Sequence, residues 1–356
     1  MRLQSPMQAR NYALALSGIA VCLFLAVAIV NFVIDPTGVF GTNIVPQHAA
    51  FNDRYARFSE YQSHPDRFDA VLFGSSRSEL LPFDELSRDL GEATLANFGV
   101  TGGMLTDHLA VLEYMLHNPP TVGGRIREIF LLLDADSFGR RPFTNESLAF
   151  ALPPAVTGEP PVHFWWRNLI AIQPRFWRDA LKNLGQQRAS QAPRRVVQQQ
   201  RAAASDMISI FSIAARAQGL LERRADEDKS AALEKITMRP LYSEQLELWK
   251  RFVDLCRQHD IRLIVALSPL RRENESTFDR TDLAKLIGDI ARVASVWDFT
   301  EAGWVADDRS LWMDGSHFTL EVGRMIVARV FGDRMPPRWA DFGHFRPQQS
   351  IVMDSP

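Results

Sequence analysis

The sequence predicts an α/β fold: a parallel sheet covered by helices, preceded by one transmembrane helix and interrupted by a mainly helical insert. Three observations predict it. Five short apolar runs, each bounded by glycine, proline or polar residues, alternate with helical patterns. A charge-free apolar stretch lies near the N-terminus, and the strand–helix rhythm stops between residues 143 and 238. Such alternation signals a parallel sheet, because parallel strands need crossover connections of a dozen or more residues, usually helical.

The N-terminal stretch "YALALSGIAVCLFLAVAIVNFVI" runs from Tyr12 to Ile34. It lacks charge, and Ser17 and Asn31 are its clearly polar interruptions. About 20 apolar residues cross a bilayer as a helix. The stretch exceeds the roughly 7–15 residues of a signal-peptide core, and no small-residue cleavage pattern follows. An uncleaved anchor over 12–34 is the expectation, with a cleaved signal or a buried core helix as alternatives. Arg2 and Arg10 precede it and Asp35 follows it, so the positive-inside rule places residues 1–11 in the cytoplasm and everything after Asp35 outside the inner membrane. "DPTGVFG" then marks a turn, and residues 35–66 read as a linker.

The first apolar run, Phe68 to Phe73, ends at Gly74. The others are Thr94–Val100, Arg127–Asp136, Ile261–Pro269 and Ser295–Thr300. Near-continuous apolar character marks strands buried on both faces. Helical patterns cover Asp107–Leu116, Ser243–His259, Thr281–Ala294 and Leu320–Phe331. In the second of these, Leu246, Trp249, Phe252, Val253 and Cys256 recur at helical spacing, with Ser243 as its expected N-cap. The α/β domain spans 67–334, and the tail 335–356 shows no periodicity. In the insert, Phe164, Trp165, Trp166, Phe176 and Trp177 suit a membrane interface, a substrate chain or the core, with core packing the default.

Composition limits the function classes. The chain has 356 residues, 46% hydrophobic and 23% charged, which is ordinary for a globular protein. A formal net charge of -2 gives no basic field for nucleic acid, so none is expected as a partner. Two cysteines and eight histidines show no zinc spacing. Asp107 and His108 are adjacent in a helix and so do not face each other; neither a metal nor a cofactor is expected. Cys22 lies in the span and Cys256 in the far domain, so no intrachain disulfide is expected.

Ligands of open parallel sheets bind beyond the carboxyl ends of the strands. Those ends carry Gly74-Ser75-Ser76-Arg77, then Asn97 to Gly103, then Asp134-Ala135-Asp136-Ser137, and finally "WMDGSHFT" after the last strand. The set suits acyl transfer. A serine hydroxyl needs a base, the base needs an orienting partner, and glycine-turn N–H groups can hold an oxyanion. Taken singly, each motif has a plainer reading as a turn, a cap or loop geometry. Arg77 suits either an anionic substrate group or a carboxylate such as Asp136.

"VLFGSSRS", "NFGVTGG" and "DGSHFT" resemble the sequence blocks of the SGNH (GDSL-like) hydrolase superfamily. The resemblance is scattered from about Phe68 to Phe331 and leaves the insert outside. It implies a flavodoxin-like three-layer sandwich with a five-stranded parallel sheet. It gives Ser76 the nucleophile position, with Ser75 where the family carries aspartate, and matches Asp314 and His317 to the last block. Oxyanion donors would be the N–H groups of Ser76 and Gly102. The third block departs: where the family has Gly-x-Asn-Asp, this chain has "LDADSF", with Asp136 nearest the asparagine position. An ionised aspartate cannot donate a hydrogen bond. It could donate only if protonated by a raised pKa; either the hole relies on the Ser76 and Gly102 N–H groups, or Asp136 does something else.

The "GSSR" block and the anchor look more like a membrane-tethered subset that works with membrane-bound O-acyltransferases, such as the D-alanyl transfer protein of teichoic-acid pathways and alginate acetylation proteins. That implies a bacterial, single-pass inner-membrane protein. Its partners would be a cell-envelope polysaccharide or lipid-linked glycan and a membrane-bound O-acyltransferase. The expected activity is serine-dependent acyl transfer or ester hydrolysis. The alternative is a catalytically inactive SGNH-like scaffold that binds glycan or the acyltransferase partner.

Overall fold

Hydrophobic runs of three to six residues, flanked by turn residues, pair side by side into one sheet. In the computed structural model the described residues are 6–42, 44, 52–120, 123–140, 142, 148, 151–172, 177–178, 242–275, 278–332, 339 and 341–348. In chain order the main elements are α1 (Pro6–Ile34), α2 (Asp53–Ser63), β1 (Ala70–Gly74), α3 (Phe83–Asp89), β2 (Leu95–Gly99), α4 (Leu105–His117) and β3 (Glu128–Leu133). They continue as α5 (Pro161–Ile170), α6 (Tyr242–Gln258), β4 (Arg262–Leu267), α7 (Arg280–Val293), β5 (Val296–Asp298), α8 (Leu320–Phe331) and β6 (His344–Arg346). The chain divides into two units, one of residues 1–56 and 149–199, the other of residues 57–148 and 200–356.

The larger unit is α/β. Its sheet has the order β2-β1-β3-β4-β5-β6, parallel except for β6, which runs antiparallel to β5. Strand residues alternate between two apolar layers. Ala70 and Leu72 of β1 and Phe130 and Leu132 of β3 join a core with Leu86 of α3 and Val322, Met325 and Ile326 of α8. On the other face, Phe73 meets the Phe252 ring of α6 edge-on at 5.8 Å and His108 of α4 at 5.1 Å. Both faces of β1 and β3 are therefore buried, which accounts for their unbroken hydrophobic sequence. Chain connections run in opposite directions from β1 and β3, so the switch point of the sheet lies between their carboxyl ends.

The smaller unit carries α1. Its segment Ala9–Ile34 is long and apolar enough to cross a membrane, and Asn31 is its one buried residue. α5 packs along it. Asn31 is buried there: its Nδ2 donates to the carbonyls of Leu169 and Ala171 at 2.7 and 2.8 Å, and its Oδ1 accepts from Trp177 Nε1 at 2.8 Å.

Several expectations are corrected. The sheet has six strands, because the tail expected to be irregular contributes β6; Trp297 and Phe345 pair across β5 and β6 with rings 5.2 Å apart. Residues 6–11 are helical and continue into the span. The 35–66 linker contains α2, whose Phe58 and Tyr61 are buried. Ser243 lies in the first turn of α6, which starts at Tyr242, and is not an N-cap. Residues 149–199 group with α1, whereas the insert was expected to belong to the α/β domain. Phe164 is buried as expected for a core aromatic, but Trp165 and Trp166 are exposed. Phe176 and most of 143–238 lie outside the described residues.

Candidate active site

β1 delivers its last residue, Gly74, into a tight turn. The Ser75 carbonyl accepts from the Ser78 N–H at 3.0 Å and from Ser78 Oγ at 2.7 Å, while Ser75 Oγ accepts from the Arg77 N–H at 3.2 Å. These bonds satisfy the polar groups of Ser75 and Ser78 inside the fold. Ser78 fills the space in front of β1: a Cβ on Gly74 would lie 2.6 Å from the Ser78 Cβ, and one on Gly99 of β2 would overlap Ser78 Oγ. Glycine at both positions makes room for this packing. From Ala70 to Pro82 every residue is buried except Ser76. The turn thus holds one hydroxyl towards solvent at the carboxyl edge of the sheet.

The partner comes from a second turn. Residues 312–318 form a small hairpin in which Trp312 bridges Phe318 and the Met313 N–H donates to the His317 carbonyl at 2.7 Å. Asp314 folds its tip. Its Oδ1 accepts from the N–H groups of Ser316 and His317, each at 2.7 Å, and its Oδ2 lies 2.7 Å from His317 Nδ1. The Asp-x-x-His spacing lets one carboxylate shape the loop and orient the imidazole. With Nδ1–H directed at a carboxylate, Nε2 offers its lone pair, and Nε2 lies 2.8 Å from Ser76 Oγ. Burial raises the Asp314 carboxyl, but hydrogen bonding and charge from His317 and the two N–H groups more than offset that and hold it well below the usual carboxylate range.

α8 locks the two turns together. It starts three residues after His317, and its Gly323 touches the Leu80 backbone so closely that a Cβ there would overlap the Leu80 carbonyl oxygen. Glycine in a helix interior costs about 1 kcal/mol relative to alanine; here it permits the backbone approach that sets the hairpin against the Ser76 turn.

Arg77 is buried beneath the pair. Its Nη1 lies 2.8 Å from Asp134 Oδ1 and 3.0 Å from Asp136 Oδ1, and its Nε donates to the Ser316 carbonyl at 2.9 Å. Arg140 binds the other oxygen of Asp136. Arg77 therefore ties the ends of β1 and β3 to the histidine hairpin. Of the two expected partners, an anionic substrate group or a carboxylate such as Asp136, the structure shows the carboxylate. Asp136 shares this cluster. Burial raises its carboxyl, but Arg77 and Arg140 outweigh burial and hold it below the usual range. Both of its carboxylate oxygens accept from guanidinium groups, which is the placement of an acceptor and not of a hydrogen-bond donor.

The Ser76 N–H has no partner among the described residues. Gly102 sits in the loop after β2, the neighbour of β1, with φ +61°. That loop is pressed against β1: Val100 N–H donates to the Gly74 carbonyl at 3.1 Å, and a Cβ on Gly103 would lie 2.5 Å from that oxygen.

Compared with known proteins, the chain matches no family model and no curated sequence.

The site is therefore read from its own geometry. Among the described residues no cluster of three or more His, Cys, Asp or Glu side chains is placed to hold a metal ion. A cavity of about 680 Å³ lined by Arg272, Arg280, Glu301 and His344, among others, includes none of Ser76, Asp314 and His317. Sequence reasoning missed Ser78, Asp134, Arg140 and Gly323. Gly323 alone left a signal, as a glycine inside a strong helical pattern.

Proposed function

We propose that this protein is a membrane-anchored serine acyltransferase or esterase that moves acyl groups of a cell-envelope glycan, with Ser76, His317 and Asp314 as its triad. One observation carries the proposal: the hydrogen-bonded chain from Ser76 Oγ to His317 Nε2 at 2.8 Å and from His317 Nδ1 to Asp314 at 2.7 Å. This is the nucleophile–base–orienter arrangement of acyl-transfer enzymes. The location supports it, because the serine follows β1 beside the switch point of the sheet, where doubly wound folds bind ligands. The order β2-β1-β3-β4-β5 is that of flavodoxin-like sheets, which favours the SGNH reading of the three sequence blocks.

In this mechanism Ser76 Oγ attacks the carbonyl carbon of an acyl ester or thioester as its proton passes to His317 Nε2. Asp314 stabilises the imidazolium. The N–H groups of Ser76 and Gly102 receive the oxyanion. Collapse breaks the bond to the leaving group, which takes the proton from His317, and leaves acyl-Ser76. A sugar hydroxyl or water then gives its proton to His317 and attacks; the acyl–Oγ bond breaks, Ser76 Oγ takes the proton back from His317, and the acylated sugar or the free acid is released. We further propose that α1 anchors the chain in a bacterial inner membrane with the α/β unit outside, where a membrane-bound O-acyltransferase supplies the acyl group.

A fluorophosphonate probe tests the nucleophile. The wild-type chain is expected to label at Ser76, and Ser76→Ala and His317→Ala are expected not to. Labelling that persists in folded Ser76→Ala would reject the triad. The ion-paired state of Asp136 favours a second reading, a non-catalytic scaffold lacking the side-chain oxyanion donor. Turnover that requires both Ser76 and His317 excludes that reading.

A further inference from the structure

The polar residue at the outer end of the anchor and the aromatic helix beside it point to a second membrane contact. α1 offers an apolar window of 26 residues, about 39 Å at 1.5 Å per residue against about 30 Å of hydrocarbon. Its C-terminal half therefore leads towards the lipid–water boundary, and α5 packs beside that half, from Phe24 to Asn31. The Trp166 ring lies 5.0 Å from Phe24, and Trp165 lies 5.7 Å from Phe40, itself 5.5 Å from Phe32.

α5 has two faces. Phe164 and Asn168 are buried, whereas Val162, Trp165 and Trp166 are 65%, 39% and 50% exposed. The exposed three follow i, i+3, i+4 spacing and so form one stripe. That stripe continues the uncovered apolar surface of α1. Asn31, 0% exposed, adds an independent observation. It donates to the Leu169 and Ala171 carbonyls at the C-terminus of α5, where helices leave carbonyls without intrahelical partners. A helix that ends near hydrocarbon needs those groups satisfied, because no water is there to do it. The polar side chain in the anchor meets that need.

We propose that α5 is an interfacial helix whose Val162–Trp165–Trp166 face docks into the phospholipid boundary of the bilayer that α1 crosses. The inference rests on the anchor reading of α1. Tryptophan suits this position because its ring is apolar and its N–H is polar, which is why it is enriched in interfacial belts. An apolar stripe continuous with a lipid-facing helix commits the occupant to lipid.

The test uses the full chain with Cys22→Ser, reconstituted in vesicles of phosphatidylethanolamine and phosphatidylglycerol. Cys256 is buried, which pushes its thiol up to about 12, so it stays unlabelled. Single nitroxide labels are placed at Val162→Cys, at Leu23→Cys on α1 and at Lys250→Cys on α6. Power saturation then compares accessibility to oxygen with accessibility to a water-soluble nickel chelate. The expected result places residue 162 at a depth between the other two, with oxygen favoured over nickel. Residue 162 matching residue 250 while residue 23 is in the bilayer overturns the proposal and leaves the anchor intact. Residue 162 shielded from both reagents shows a protein occupant and also overturns it. Residue 23 in water overturns the anchor reading, and this proposal with it.

Discussion

The proposed reactivity of Ser76 rests on its neighbours. All other residues from Ala70 to Pro82 are buried, and the half-buried Ser76 hydroxyl meets an imidazole oriented by a carboxylate that also folds its own loop. Asp314→Asn keeps the side-chain oxygen that receives the Ser316 and His317 N–H groups but reverses the demand on Nδ1. It is expected to lower kcat by about 10⁴-fold with a normal fold, measured on a small activated ester. Arg77→Lys tests positioning. Lysine keeps the charge but loses the fork that joins Asp134, Asp136 and the Ser316 carbonyl. The expected result is a fall in kcat with KM little changed, as the imidazole loses its fixed placement. Arg77→Ala removes one partner of a buried charge cluster and should cost about 3–5 kcal/mol of stability by urea denaturation.

The acid side of the stability profile follows from the same carboxylates. Asp136 and Asp314 ionise at lower pH in the fold than in the unfolded chain. The unfolded chain then binds more protons, so stability rises with pH through that window. The contribution is full above the unfolded value of about 4 and is lost as pH falls through the folded values. Urea midpoints taken across acidic pH should fall steeply for the wild type and less steeply for Asp314→Asn.

At the scale of elements, α8 and β1 fix the site through close backbone contacts. Gly323→Ala would drive a methyl group into the Leu80 carbonyl. It is expected to destabilise the fold by about 1–3 kcal/mol and to lower kcat by separating the hairpin from the Ser76 turn. Gly288→Ala in α7, where a Cβ meets nothing within 4 Å, serves as the control and should be neutral or slightly stabilising. The long, strongly periodic elements were legible: α8 spans Leu320–Phe331 as its spacing indicates, and β1 to β5 fall within a residue or three of the apolar runs. α3 was missed because seven residues carry too little periodicity, and β6 because an exposed three-residue edge strand is defined by its pairing with β5. The serine, histidine and aspartate were legible because they stand at strand ends in ordered blocks. The pairing of Arg77 with Asp134 was not, since ion pairing between distant segments leaves no local pattern; Arg140 pairs with Asp136 only four residues earlier.

For the whole molecule, the division into an α1–α5 unit and an α/β unit places the proposed anchor and the proposed triad in different units. The full chain is expected to stay with membranes through alkaline carbonate extraction, and recovery in the soluble fraction would contradict the anchor. The central claim concerns Ser76 and is tested most directly by trapping. The purified full chain is mixed with p-nitrophenyl acetate, quenched in acid and digested for mass spectrometry. The account predicts a single acetyl group on the peptide containing Ser76, absent from Ser76→Ala and strongly reduced in His317→Ala. A folded wild-type chain that carries no acetyl group on Ser76, or that is acetylated equally in Ser76→Ala, would contradict it.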